Sequence, residues 1–71
     1  MYKMLSLVKV HDKETHDWRH YETLDDADKA RHEWVHTLQV LRTLGVISDY
    51  IVCIYNSEGD CIARTKSQPN V

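Results

Sequence analysis

A chain of 71 residues, 42% hydrophobic and 28% charged, has room for one domain with a modest core. No apolar run approaches the ~20 residues of a membrane span, and two cysteines are too few for a disulfide scaffold or a cysteine-based zinc site. A net charge of −2 argues against a general phosphate-backbone binder, which needs clustered basic groups.

Residues 2–10 read as a strand rich in Leu, Val and Met, with Met4, Val8 and Val10 alternating with Leu5 and Leu7. The apolar residues of this segment are interrupted by Lys3, Ser6 and Lys9 and lack a small-residue cleavage site, so it does not read as a signal peptide. A cytoplasmic location is the resulting expectation. Residues 11–17 are entirely polar and predict a seven-residue loop, after which residues 18–24 return to aromatic and β-favouring types as a second strand.

Thr23, with Asp26 three residues on, supplies a helix-capping signal, and Asp25 with Asp28 is the alternative register. The helix is predicted over 25–44, with Ala27, Ala30, Trp34, Leu38 and Leu41 on one core-facing stripe and Gly45 as its stop. Residues 47–56 form the most strand-like stretch, residues 57–59 a turn, and residues 60–66 a returning strand. Residues 67–71 read as a flexible tail beyond a single domain of residues 1–66. The predicted fold is therefore α+β, ββαββ, a four-stranded antiparallel sheet with one helix on one face. Strand orders 2-1-3-4 and 1-2-4-3 both satisfy the hairpins.

With a three-residue turn at 57–59, Ile51, Cys53, Tyr55, Cys61 and Ala63 share one sheet face, and Tyr50, Val52, Ile54 and Ile62 share the other. Both faces are apolar although one helix covers only one. The face of Tyr50, Val52, Ile54 and Ile62 is expected to serve a dimer or a partner, with a sheet-to-sheet homodimer the commonest solution. Cys53 and Cys61 fall on a diagonal about 7–8 Å apart in this register and are expected as free thiols.

Charge is uneven along the chain. Residues 12–28 hold Asp12, Glu14, Asp17, Glu22, Asp25, Asp26 and Asp28 against Lys13 and Arg19, and the remainder is net positive. This predicts an acidic end, with Asp12, Glu14, Asp17, Asp25, Asp26 and Asp28 as a partner-binding patch steering toward a basic surface. Three of the five histidines (His11, His16, His20) cluster near the first hairpin. They are read as polar loop residues without a switching role, since no bistable element is visible.

His32-Glu33-Trp34-Val35-His36 matches H-E-x-x-H, in which two histidines at i and i+4 bind zinc and the glutamate acts as general base. Such sites need a third ligand and a walled cleft. The glycine and third histidine of the extended motif are absent, and Trp34 facing the sheet puts His32 and His36 in solvent. They are the candidate metal pair, but no metal, cofactor or catalytic residue is expected.

The expectation is a non-enzymatic protein-binding module, homodimeric, of the accessory or inhibitor kind common in phage and bacteria. A zinc-dependent hydrolase using His32 and His36 is one alternative. Single-stranded nucleic-acid binding through Tyr50, Arg64 and Lys66 on the open sheet face is the other.

Overall fold

Alternation along Tyr2–Val10 puts Met4, Ser6 and Val8 on one side of the first strand and Leu5 and Leu7 on the other, so both sides need a neighbour. The computed structural model describes residues 1–67. It orders them β1 (Tyr2–Val10), β2 (Lys13–Tyr21), α1 (Leu24–Thr43), β3 (Asp49–Tyr55) and β4 (Cys61–Lys66). The strands form one antiparallel sheet in the order β2-β1-β3-β4, with α1 against one face, which is the expected ββαββ fold. β2 and β3 are both antiparallel to β1, so α1 carries the chain over β1 between two strands that run the same way.

Thr23 caps α1 as the sequence indicates, its hydroxyl accepting from the Asp26 N–H at 3.2 Å. Gly45, at φ 78°, ends the helix. Its N–H donates to the Arg42 carbonyl and that of Val46 to the Leu41 carbonyl, at 3.0 and 2.9 Å, which closes a Schellman motif.

Three local features depart from the sequence reading. The polar run of residues 11–17 is mostly strand. The turn is only His11 and Asp12, with Val10 opposite Lys13 and His11 at φ 55°. β2 is an outer strand, exposed along nearly its whole length, so burial imposes no apolar alternation on it. Second, an irregularity between Ile54 and Tyr55 pairs Ile54 with Ala63 and Tyr55 with Cys61. That one-residue slip turns Ala63 toward the helix and Arg64 toward the far side. Third, Ser67, assigned to the tail, still donates its N–H to the Tyr50 carbonyl at 3.0 Å. The rest of that tail, residues 68–71, lies outside the described residues.

The core lies between α1 and the inner strands. Ala27 and Leu38 from the helix meet Met4, Tyr50, Val52 and Ile54 from β1 and β3, with Trp34, Val35 and Leu41 packed alongside. Leu38, Val52 and Ile54 are fully enclosed, each stabilising the fold by about 1.5–3 kcal/mol. Tyr50, Val52 and Ile54 were expected on the open face. They lie instead beneath the helix, with Tyr50 donating its hydroxyl to Gln39 Oε1 at 2.9 Å. Both faces of β3 are apolar, so composition cannot say which one the helix takes. Ile62, at the irregularity, remains 43% exposed. Among the described residues no helix is long and apolar enough to cross a membrane.

Candidate interaction face

The strand registers give the uncovered face row by row. His20, Lys3, Tyr55 and Cys61 form the first row across β2, β1, β3 and β4. Trp18, Leu5, Cys53 and Arg64 form the second, and His16, Leu7, Ile51 and Lys66 the third. Glu14, Lys9 and Asp49 form the fourth. Leu5, Leu7, Cys53 and Ile51 are thus a contiguous apolar square in the middle, flooring a shallow depression of ≈ 280 Å³. Leu5, Leu7 and Ile51 are half-buried by their neighbours alone.

Trp18, 47% exposed, reaches across β1 to Tyr55, their ring centroids 5.8 Å apart and tilted by 45°. Four cations (Lys3, Lys9, Arg64, Lys66) and two acids (Glu14, Asp49) frame the square. The face is therefore positive although the chain as a whole is net −2.

The two thiols share this face. Cys53 is buried and Cys61 exposed, both free. Burial pushes the Cys53 thiol above its ordinary value, and the charge and hydrogen bond of Cys61 push it further. The Tyr55 hydroxyl is raised as well, first by the negative charge that would form on Cys53. Both shifts disfavour the ionised forms, so Cys53 is apolar surface rather than an activated nucleophile.

A second concavity, ≈ 290 Å³, lies on the helix side where β2 extends past α1. Met4 floors it, Tyr21 and Trp34 line it, and Arg19 and Glu33 stand at its rim. Arg19 is already paired with Asp17 at 3.2 Å in solvent.

The acidic residues do not make one patch. Asp12 and Glu14 stand at the hairpin end of β2, whereas Asp25, Asp26 and Asp28 stand where α1 begins, at its other end. A nine-residue strand separates the two groups by about 27 Å, and Asp17 lies midway on the helix side. A run of acids along an extended strand is dispersed, not gathered, which corrects the expected acidic end. Asp25 and Asp26 sit in the first turn of α1, where their charge suits the helix dipole.

Asp28 accepts from Arg31 at 2.7 Å and lies 3.5 Å from His32 Nε2. The Arg31 hydrogen bond, opposed by partial desolvation, holds its carboxyl below the usual carboxylate range. His32 and His36 both face solvent, the His32 side chain 69% exposed. Among the described residues no group of three or more His, Cys, Asp or Glu side chains converges as metal ligands.

Sequence reasoning found the apolar alternation of β1 and β3 and placed Arg64 and Lys66 on the open face, though beside Tyr50 rather than Cys53 and Ile51, and it missed Trp18 as a member of that face. The signal for Trp18 lay in the hairpin, since a two-residue turn after Val10 sets Trp18 directly opposite Leu5. No protein-family model matches the chain, and neither curated proteins nor solved structures give a match.

Proposed function

We propose that this chain is a non-catalytic protein-binding module, of the accessory or inhibitor kind, that works through the uncovered face of its sheet. The observation that carries the reading is the apolar square of Leu5, Leu7, Cys53 and Ile51, continuous with Trp18 and Tyr55 and lying on the side away from the only helix among the described residues. A contiguous patch of this kind, rimmed by charge, is the usual signature of an association surface. The aromatic pair at its side supplies the large, stiff contact area typical of residues that dominate binding energy.

Covalent footprinting of the full chain tests this, alone over a concentration series and in cell extract. Leu5, Leu7, Trp18 and Ile51 are expected to become protected while His32, His36 and Val40 on the outer side of α1 stay reactive. Equal labelling of both sides under every condition would rule the reading out.

The Trp18–Tyr55 pair beside Lys3, Arg64 and Lys66 favours one second reading, a single-stranded nucleic acid stacked on the same face. Tyr50 is enclosed beneath the helix and takes no part in that stack. This second reading requires binding of a short oligonucleotide that weakens steeply with salt.

A further inference from the structure

We infer that the occupant of the open face is a second copy of this chain, docked sheet to sheet about a two-fold axis parallel to the strands and passing between β1 and β3. The inference rests on the association-face reading above and names its partner. It follows from how the rows map onto themselves. Such an axis keeps each row and exchanges β1 with β3 and β2 with β4, so each side chain faces the partner's residue in the same row.

Leu5 then faces the partner's Cys53, and Leu7 the partner's Ile51, which closes the apolar square on itself. Each of three cations meets an acid or an aromatic ring. Lys9 faces the partner's Asp49, Lys3 the partner's Tyr55, and Arg64 the partner's Trp18. Each contact occurs twice, as a two-fold requires. His16 against the partner's Lys66 is the one unfavourable meeting, and only when the imidazole is protonated.

Of the two in-plane two-folds that keep the strands of both sheets aligned, the one perpendicular to the strands is excluded by the same rows. It would set Lys3 against the partner's Lys9 and Arg64 against the partner's Lys66, placing like charges together in a closing interface. Between the two aligned arrangements the charge pattern therefore selects one axis, where apolar content alone would allow both.

Size is compatible. Four strands about 4.8 Å apart and four rows about 6.8 Å apart give roughly 500 Å² of projected face. Two copies together cover on the order of 1,000 Å², the lower bound for a specific interface. A reversible dimer is expected, with strands of the two sheets roughly aligned and the small rotation that sheet twist imposes.

The test begins with the solution mass of the full chain by light scattering over a micromolar concentration series. A concentration-dependent mass reaching twice 8.4 kDa is expected. Ile51→Lys should return it to the monomer, and Lys9→Glu, at an exposed position, should weaken association about tenfold. Far-ultraviolet circular dichroism checks that each variant is folded.

The axis is read by mixing a Trp18→Cys chain with an Arg64→Cys chain, both carrying Cys53→Ala and Cys61→Ser, and adding a short bis-maleimide. Within one chain these positions are three strands apart, about 14 Å, and mixing single variants forces any cross-link to bridge two molecules. Cross-linking between the two variants, and little within either alone, is the expected result. Efficient self-linking of the Trp18→Cys chain would overturn the proposed axis.

A dimer whose mass survives both Ile51→Lys and Lys9→Glu would overturn the inference, because the contact would then lie elsewhere. A constant mass of 8.4 kDa overturns it too. If the open face is nevertheless protected when another protein is added, the association-face reading stands without the second copy. Protection by an oligonucleotide instead would overturn both in favour of the nucleic-acid reading.

Discussion

The indole N–H of Trp34 donates to the Ser6 hydroxyl across 2.6 Å, tying the middle of α1 to the middle of β1. Ser6 is only 4% exposed and sits on the helix side of β1 between Met4 and Val8, where an alternating apolar strand would carry a third hydrophobe. Removing the hydroxyl strands the indole donor in a half-buried site. Ser6→Ala is expected to cost about 1–3 kcal/mol, a fall of at least 4 °C or so in Tm for a domain this small. In a Trp34→Phe background the same substitution should cost far less, because no donor is left unpaired. Urea unfolding of the four proteins, with an unchanged slope, measures both effects.

Arg31 clamps the opposite side of the helix. Its side chain is 17% exposed, and it donates through one Nη to Thr65 of β4 and through the other to Asp28, each at 2.7 Å. Among the described residues the Nε is buried without a hydrogen-bond partner, so the guanidinium is held through its Nη groups, one of which also approaches His32 Nε2 at 3.4 Å. The Asp28 pKa is lowered in the folded chain, first by the Arg31 hydrogen bond. A lowered carboxylate pKa stabilises the fold at neutral pH. That contribution is lost as pH falls from the ordinary carboxylate value, about 4, through the lower folded value. The urea midpoint should therefore drop on acidification in this window. Asp28→Asn should lower it at pH 7 and flatten that part of the profile, and an identical acid profile in the variant would remove Asp28 from the account.

The residues that were legible in the sequence are those whose environment is imposed by burial. Ala27, Leu38 and the Thr23 cap follow from helical spacing and capping chemistry, and the inner strands from their apolar runs. Less legible was β2, because an edge strand with solvent on both sides has no alternation to display. Which β4 residues join the open face turned on a single residue of register. With the irregularity between Ile54 and Tyr55, Arg64 rather than Ala63 comes to lie opposite Cys53. Composition gave two apolar faces, and nothing in the residue types says which one a helix will choose.

His11 occupies a left-handed conformation, φ 55°, in a two-residue hairpin turn. A Cβ in that region is unfavourable, and glycine adopts it without steric cost. His11→Gly should raise stability by roughly 0.5–1 kcal/mol, and His11→Val should lower it, since β-branched residues fit this region worst. Thermal melts of the two variants check the sign. A neutral or destabilising glycine would mean that the imidazole contributes a contact that offsets the backbone strain.

Cys53 and Cys61 should differ in reactivity although they share a face. Cys61 is exposed, whereas Cys53 is 6% exposed and its thiol is raised first by burial and then by Cys61. Alkylation follows the thiolate fraction and access together, so iodoacetamide near pH 8 should modify Cys61 well before Cys53. In a Cys61→Ser chain the Cys53 pH–rate profile should move down, since the charge of Cys61 is removed. It should still lie above that of an ordinary thiol, because the burial remains. Mass spectrometry of the labelled chain over a pH series separates the two causes. If the profile does not move, burial alone sets the Cys53 thiol; if it falls to the ordinary value, Cys53 lies on a more open surface than its packing against Leu5 and Ile51 implies.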